Sequence, residues 1–260
     1  MQGHKKIAVA GATGRVGRHV VAVLQERGLD VVPMSRTHGV DVITGDGLAQ
    51  ALEGVESIID VATGPSPQQE PATEFFVTAA RNLQAAGERA GVQRIVVVSI
   101  IGTDRFTGGY GAAKGAHERA MLSGPIPARV LRAAQFHEFV PQLVEWGTRD
   151  GVAYVPRMRT QLVAARTVAE ALVDLALRPA GDAEGPLPEI AGPREENLVD
   201  VARLLVARRG EQLRIEGATD VSDPDHELYE SGALLPSPHA VLGGPTFAEW
   251  LETIGMEKLS

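Results

Sequence analysis

The chain of 260 residues has no cysteine, few aromatic residues and no long hydrophobic run. The lack of cysteine excludes disulfides, thiolate chemistry and cysteine-ligated metals. No apolar stretch has the roughly 18 residues that a membrane span needs, and the polar residues Gln2, His4, Lys5 and Lys6 precede the first apolar run. We therefore expect neither a membrane span nor a signal peptide, and we expect a cytoplasmic protein.

Positive charge is also scarce. The formal net charge is −8, and only four of the 25 basic residues are lysines. Because nucleic-acid binding usually needs a basic face, this balance argues against a nucleic-acid partner. His226 and His239 have no partners at metal-ligand spacing, so no metal site is predicted.

Glycines follow the first apolar run in a distinctive order. Ile7 to Ala10 predict a short buried strand, Gly11, Gly14 and Gly17 form a GxxGxxG pattern, and an amphipathic helix follows from about residue 15. Such glycines permit a tight turn, a close approach of the backbone to a pyrophosphate, and close packing of helix on strand. The amides and the positive dipole at the helix start favour an anion there. The pattern predicts a dinucleotide site.

The order of apolar and helical segments predicts an α/β fold with a doubly wound parallel sheet of the Rossmann type and a small C-terminal substrate lobe. We assign residues 1–150 to the NAD(P)-binding domain and 151–260 to the lobe, which is interleaved with the last strand of the sheet near 188–191. Predicted strands are 6–10, 30–34, 40–43, 57–61, 94–99, 128–132 and 188–191; predicted helices are 15–27, 47–53, 71–91, 110–123, 137–149, 166–178, 197–209 and 246–255. The stretch 217–245 is rich in turn formers and predicts either a lid or a long surface loop.

The end of the second strand bears on cofactor choice. An acid there would bind the ribose 2′-hydroxyl of NAD, whereas an arginine accepts the 2′-phosphate of NADP. Here Ser35 and Arg36 stand at the tip, and Arg15 in the glycine turn is expected to close on the same phosphate. We therefore expect NADP, with NAD as the alternative; Arg36 could instead stack on adenine or lie in solvent.

Two further segments belong to the expected cofactor site. Asp46 is a candidate acceptor for the adenine amino group, or alternatively a cap for the helix that begins near Leu48. Small residues after the 57–61 strand would let the cofactor cross the sheet edge. The full predicted cofactor set is Gly11, Thr13, Gly14, Arg15, Val16, Gly17, Ser35, Arg36, Asp46, Ala62, Thr63, Gly64, Lys114 and Ala134.

Tyr110 and Lys114 form a YxxxK pair, which puts both side chains on one face of a helix. Tyrosine has a free pKa of about 10, and a neighbouring ammonium should lower the pKa of Tyr110 enough for acid–base work. Ser99, at the end of a strand, could hydrogen-bond the substrate oxygen. The alternative is a surface tyrosine over a lysine stem.

Aromatic residues follow the strand at 128–132, where nicotinamide and substrate should meet. Phe136 and Phe139 could offer an apolar floor for a flat substrate, and His137 a second proton-transfer group. The alternative is a helix start with both phenylalanines in the core and His137 exposed. Trp146, Tyr154 and Met158 are candidates for the outer wall of the pocket.

Together, the glycine turn, Ser99, Tyr110, Lys114 and Leu131-Arg132-Ala133 resemble the atypical short-chain dehydrogenase/reductases, in particular their NmrA-like branch. The resemblance covers roughly residues 5–210 and includes Ile190-Ala191-Gly192-Pro193. It implies a nicotinamide cofactor, with Ser99 polarising the substrate, Tyr110 as the acid–base, and Lys114 activating Tyr110 and holding the nicotinamide ribose. Ser99 and Tyr110 lie only 11 residues apart, a shorter spacing than is typical of the family.

The leading hypothesis is an NAD(P)H-dependent oxidoreductase that reduces a carbonyl or quinone of a planar, aromatic small molecule. Two alternatives stay open, since members of the branch differ: an oxygen-dependent hydroxylase of a polycyclic, polyketide-like substrate of secondary metabolism, and a non-catalytic NAD(P)-sensing regulator. We expect a small-molecule partner, and homodimerisation through surface helices is compatible with this fold.

Overall fold

The computed structural model describes residues 5–179 and 185–254. The strands are β1 (Lys6–Ala10), β2 (Asp30–Met34), β3 (Ser57–Asp60), β4 (Arg94–Ile100), β5 (Ala128–Ala133), β6 (Thr148–Arg149), β7 (Val152–Pro156), β8 (Arg159–Thr160), β9 (Glu189–Ala191), β10 (Glu196–Asn197), β11 (Arg214–Ala218) and β12 (Val241–Leu242). The helices are α1 (Gly17–Glu26), α2 (Leu48–Ala51), α3 (Gln69–Ala90), α4 (Gly109–Leu122), α5 (Val140–Gly147), α6 (Ala165–Leu177), α7 (Leu198–Arg209), α8 (His226–Ser231) and α9 (Phe247–Thr253). Residue 255 of the helix expected at 246–255 lies outside the described residues.

Seven strands form the main sheet in the order β12-β9-β5-β4-β3-β1-β2, and all of its pairings are parallel. The chain runs from β1 outward to β2 and then returns to β3 on the other side of β1. The carboxyl ends of β1 and β3 therefore flank a topological switch point, which is where open α/β sheets bind ligands. The predicted fold class, a Rossmann-type doubly wound sheet, is confirmed.

Helices cover both faces of this sheet. On one face α1 and α6 pack against the strands, with Val20, Leu24 and Leu172 fully buried. On the other face Leu83 of α3 and Met121 of α4 belong to the core. Because both faces are covered, the central strands are apolar without alternation, as Ile95, Val96 and Val97 illustrate.

The strand predicted at 40–43 is wrong. These residues form a turn, since the Asp41 carboxylate accepts the backbone amides of Ile43 at 2.7 Å and Thr44 at 3.4 Å. A side chain that satisfies the following amides competes with strand pairing, and turn formers follow it. The sheet therefore ends at β2 on this side.

A second core lies in the C-terminal part of the chain. A small sheet, β11-β7-β6, packs with α5, α7 and α9 around buried residues such as Val155, Leu205 and Phe247. The α6 helix and strands β9 and β12 return to the main sheet. The described part of 217–245 contains α8 and β12, so it is structured. Asp225 in it accepts hydrogen bonds from the Thr107 and Gly108 amides at 2.8 and 2.7 Å, just before α4.

No helix within residues 5–179 and 185–254 combines the length and apolar character that crossing a bilayer requires.

Candidate active site

The glycine turn lies at the switch point. Gly11 has φ +78° and donates its amide to the Met34 carbonyl at 3.0 Å, and Gly14 donates to the Gly11 carbonyl at 2.9 Å. A Cβ on Gly11 would lie 2.7 Å from the Cα of Ala62, and one on Gly17 would lie 2.0 Å from the Gly11 oxygen. The turn can therefore exist only with glycine at positions 11 and 17, as close packing of strand and helix requires.

The same turn has room and donors for a phosphate. Within the described chain, the backbone amides of Thr13, Arg15 and Val16 have no acceptor, and α1 begins directly after them. Gly14 is exposed, so a ligand can approach its backbone. Unpaired amides at a helix start bind anions well, so this turn fits the pyrophosphate of a dinucleotide.

At the tip of β2 the structure places Ser35 and Arg36. The Ser35 hydroxyl hydrogen-bonds to Thr37 Oγ1 at 2.8 Å and His38 Nδ1 at 2.7 Å, while the Arg36 side chain is exposed and has no partner among the described residues. Arg15 instead donates to Gln142 on α5 at 2.6 Å. It thus joins the glycine turn to the C-terminal part rather than to the tip of β2.

Asp46 is exposed, and its carboxylate accepts the Thr44 hydroxyl at 2.8 Å. The alternative that it caps the helix near Leu48 is wrong, because the residue before α2 is Gly47 and no side chain caps this helix. The proposed contact of Asp46 with adenine stays a prediction.

The Tyr110 hydroxyl contacts that of Thr63, a residue predicted to bind the cofactor, at the topological switch point. The hydroxyls of Thr63 and Tyr110 are 3.2 Å apart, and the Tyr110 ring packs edge-to-face on Phe76 at a centroid distance of 5.7 Å. Burial raises the pKa of Tyr110, and the Thr63 hydrogen bond opposes this only in part. The expected lowering of the Tyr110 pKa by Lys114 is therefore wrong in this structure.

The reason is that Lys114 turns into the protein. Its Nζ donates to the Val98 carbonyl at 2.8 Å, lies 3.0 Å from His117 Nδ1 and sits 4.5 Å from the Phe76 ring centroid. Burial lowers the pKa of Lys114 to about 8, although the charges of Asp60 and Glu118 oppose the shift. The YxxxK residues share a helix, but their polar ends point to different partners.

Sequence reasoning missed two residues beside Lys114. The Asp60 carboxylate at the end of β3 lies 3.0 Å from His117 Nε2, and both side chains are buried. A signal for them existed, because His117 follows Lys114 by three residues on α4 and Asp60 is a charged residue that ends an apolar strand.

Ser99 lies near the carboxyl end of β4. It is 3% exposed, and its hydroxyl has no hydrogen-bond partner within the described residues. A buried hydroxyl without a partner is uncommon and marks a place where a ligand or water would complete the hydrogen bonding.

Residues after β5 separate into two groups. Ala134 is buried at the strand end, whereas Phe136 and Phe139 line a cavity of about 400 Å³. His137 does not line it: this residue is 0% exposed, bonds to the Pro245 carbonyl at 3.0 Å and packs against Phe247 and Trp250. Its placement in the C-terminal core corrects both the expected role toward substrate and the exposed alternative. Burial lowers the pKa of His137 to about 4.

The cavity lies between the end of β5 and the C-terminal part. Its apolar wall includes Tyr154 and Met158, which were expected there, whereas Trp146 is exposed and packs on Phe139. Most of its polar lining comes from the 217–245 stretch, namely Thr219, Asp220, Asp223, His226 and Tyr229, and the other polar residues that line it are Gln135 and Arg157. Tyr229 contacts Phe106, whose ring occupies the space beside Gly111, the residue after Tyr110.

Residues 11–123 match the family model described as NAD(P)H-binding. A 3-beta-hydroxysteroid dehydrogenase from Mycolicibacterium neoaurum is 30% identical over 112 residues, which are 35% of this chain and 31% of that protein. The chain thus matches about a third of the length of this curated relative.

Solved structures match over almost the whole chain. MoeE5 in complex with UDP-glucuronic acid and NAD matches with a TM-score of 0.74 at 18% identity, and the match covers 97% of this chain and 98% of the MoeE5 chain. TunA, an NAD-dependent NDP-hexosamine 5,6-dehydratase involved in tunicamycin biosynthesis, has a TM-score of 0.72 at 17% identity and covers 98% and 97%. A short-chain dehydrogenase/reductase superfamily protein from Agrobacterium tumefaciens with bound NAD has a TM-score of 0.61 at 20% identity and covers 82% and 85%.

At these identities the structural likeness establishes the fold, and the family-model match covers the segment that contains the glycine turn. Residues 11–123 thus match the NAD(P)H-binding family model, and the whole chain has a Rossmann fold similar to that of these NAD-bound structures.

Proposed function

We propose that this chain is an NADPH-preferring oxidoreductase that reduces a carbonyl or quinone of a flat, fused-ring molecule. The contact of 3.2 Å between Tyr110 and Thr63 carries the proposal. It supports a role for Tyr110 at the crevice between β1 and β3, where the glycine turn offers unpaired amides to a pyrophosphate. Residues 1–150 would hold the cofactor, and most of 151–260 would cover the substrate.

In this proposal the pyrophosphate binds the amides of Thr13, Arg15 and Val16. The free guanidinium of Arg36, with no acid beside it at the tip of β2, supports a preference for the 2′-phosphate of NADP. Ala62, Thr63 and Gly64 would border the cofactor where it crosses the sheet edge, and Ala134 would border it at β5. The bound nicotinamide would supply the hydride.

The side chains of the chain would supply the proton and the orientation of substrate. Burial keeps the Tyr110 hydroxyl protonated, so it can donate a proton to the substrate oxygen as negative charge develops there. The Ser99 hydroxyl, which has no hydrogen-bond partner among the residues that the structure describes, would donate a hydrogen bond to the same oxygen. Lys114 would hold the nicotinamide ribose, and its positive charge would stabilise the charge that develops on Tyr110.

The cavity supports an apolar substrate rather than a nucleotide sugar. Phe136, Phe139 and Met158 offer a wide apolar surface. The carboxylates of Asp220 and Asp223 outnumber the one guanidinium in the lining, that of Arg157, so the net negative charge would disfavour a diphosphate. A steroid, as in the name of the curated relative, is a flat fused-ring molecule of this kind.

The first test is oxidation of NADPH and NADH by the purified chain, measured against quinones, fused-ring ketones and UDP-sugars, with and without oxygen. The proposal expects faster oxidation of NADPH, independent of oxygen, with the apolar acceptors. Product formation only with oxygen would overturn it in favour of hydroxylation. Tight cofactor binding without turnover of any acceptor would favour a cofactor-sensing regulator.

A further inference from the structure

A continuous line of buried polar groups runs from the end of β3 to β4 through α4. The Asp60 carboxylate lies 3.0 Å from His117 Nε2, His117 Nδ1 lies 3.0 Å from Lys114 Nζ, and Lys114 donates to the Val98 carbonyl at 2.8 Å. Asp60 and His117 are each 1% exposed and Lys114 is 5% exposed. The second Asp60 oxygen accepts the Ala62 amide at 3.0 Å, which fixes the carboxylate beside the expected cofactor path.

The chemistry of the three side chains assigns the protons. A lysine ammonium has only donors, so His117 Nδ1 must accept from it. The imidazole proton therefore resides on Nε2 and is donated to Asp60, which is the arrangement of a neutral ring. Burial and the nearby Lys114 charge both lower the pKa of His117, in agreement with that form.

This arrangement leaves one buried cation and one buried anion joined by a neutral ring. The other charged group near Lys114 is Glu118 on α4, and its carboxylate is engaged by Arg132 of β5 at 2.9 and 3.1 Å. The wall from α3 is Phe76, whose ring stacks on His117 at 4.7 Å and faces the Lys114 ammonium. Asp60 is thus the anion in hydrogen-bonded connection with Lys114, and a buried ammonium needs such a partner to remain charged.

We propose that Asp60 and His117 are positioning residues for Lys114: Asp60 keeps the ammonium protonated, and His117 fixes its place on the β4 side of α4. What Lys114 then does for Tyr110 and the nicotinamide ribose rests on the proposed function. The hydrogen-bonded line from Asp60 through His117 to Lys114, called the relay below, can be tested without cofactor or turnover, because the pKa of Lys114 reports on it.

Three substitutions test the Asp60–His117 contact and the His117–Lys114 contact separately. His117→Gln places an amide nitrogen near the position of Nε2, so it can still donate to Asp60 but offers no acceptor to Lys114. His117→Asn places an oxygen near the position of Nδ1, so it can still accept from Lys114 but loses Asp60. Asp60→Asn keeps the shape of the carboxylate and removes its charge.

The measurement is a pH titration of the lysine side-chain carbons by NMR in the full cofactor-free chain. Only four lysines occur, at positions 5, 6, 114 and 258, so Lys114→Met identifies the Lys114 signal. We expect a wild-type midpoint near pH 8, lowered by about one pH unit or more in Asp60→Asn because the buried countercharge is gone. His117→Gln should lower the midpoint more than His117→Asn. Unchanged midpoints in every variant that folds, as judged by circular dichroism, would overturn the proposal; if Asp60→Asn does not fold, the two His117 variants decide.

A second readout connects the relay to the reaction. If Lys114 must be charged, kcat/KM falls as pH rises through its pKa, and the alkaline limb of the profile should move to lower pH by the same amount as the NMR midpoint. A shifted midpoint with an unmoved limb would refute the role of the relay in the reaction. A shifted midpoint in a chain that turns over no acceptor would refute the proposed function and leave the relay intact.

Discussion

At the scale of single residues, burial shifts the pKa of several groups in and near this site. It raises the pKa of Tyr110 and lowers the pKa of Lys114, His117 and His137. All four shifts favour the uncharged form, as desolvation requires. Tyr110 therefore enters the proposed reaction as a proton donor rather than as a phenolate.

Tyr110→Phe should lower kcat roughly 10²- to 10⁴-fold, since this is the usual contribution of a positioned general acid. The ring and its contact with Phe76 remain, so NADPH affinity by fluorescence titration and the circular dichroism spectrum should stay near those of the wild type. Undiminished kcat would remove Tyr110 from the mechanism.

Arg36→Ser should weaken NADPH binding roughly ten- to a hundredfold and leave NADH binding unchanged, because a hydrogen bond to a charged group contributes about 1.5–3 kcal/mol. Isothermal titration of both cofactors measures the difference. Arg203→Ser, an exposed arginine paired with Asp200 on α7, is the matched control. Equal losses for both cofactors would contradict a contact with the 2′-phosphate.

Burial of His137 makes the free energy of unfolding depend on pH. Its pKa is about 4 in the folded chain and about 6.5 when unfolded, so the unfolded chain binds more protons between these values. The contribution of neutral His137 to the free energy of unfolding is complete above about pH 6.5. It is lost as pH falls toward 4, by up to about 3 kcal/mol. Urea unfolding between pH 7 and 4.5 should show this loss, and His137→Gln should show less of it. The part of the pH dependence that buried His117 causes remains in this variant. If the free energy of unfolding depended on pH equally in His137→Gln and in the wild type, His137 would not be its source.

At the scale of elements, the glycine turn is the part of the molecule that local sequence specifies most completely. Its strand, glycines and helix lie next to one another in the chain, so few distant contacts can override their preferences. The missing strand at 40–43 shows the opposite case, because Asp41 satisfies the following amides before a strand can pair.

Gly17→Ala and Gly14→Ala form a matched pair. A Cβ at residue 17 would lie 2.0 Å from the Gly11 oxygen, so we expect a loss of roughly 1–3 kcal/mol in the free energy of unfolding together with loss of cofactor binding. At residue 14 the nearest atom, the Gly11 oxygen, would lie 3.2 Å away. That variant should keep most of its stability and lose mainly cofactor affinity. Denaturant unfolding and NADPH titration measure both, and equal stability of the two variants would contradict the packing argument.

Elements of the C-terminal part were harder to predict. The helices α6, α7 and α9 have clear apolar periodicity and were predicted within a few residues, whereas β7 and β11 were not. These strands are only five residues long, and β11 contains Glu216 and Gly217. They exist because they pair with each other although 57 residues (157–213) separate them in the chain, and because they pack against α5 and α7. No local pattern encodes such contacts.

At the scale of the whole molecule, the cavity forms where two separate cores meet. One wall follows β5 of the main sheet, and the opposite wall comes from the 217–245 stretch, which Asp225 fixes to the start of α4. In the proposed function, the two carboxylates of that second wall disfavour a nucleotide sugar as substrate.

UDP-glucose should therefore neither raise the thermal midpoint of the NADPH-saturated chain nor inhibit its turnover of a fused-ring ketone. The carboxylates of Asp220 and Asp223 would have to lie near the diphosphate, and like charges repel strongly in a partly dry site. The double variant Asp220→Asn, Asp223→Asn should bind UDP-glucose more tightly than the wild type does. Binding of UDP-glucose to the wild type in preference to every fused-ring ketone would contradict the proposed substrate class.

The parallel sheet, the glycine turn and the placement of Tyr110 and Lys114 on one helix could be predicted from the sequence, because they depend on short-range periodicity and on glycine geometry. Three features depend on long-range packing: Lys114 faces His117 and Asp60, His137 is buried against Phe247 and Trp250, and Phe136 and Phe139 line a cavity. The physical reason is that a helix or strand fixes the direction of a side chain, whereas its partner, its burial and hence its pKa depend on segments far away in the chain.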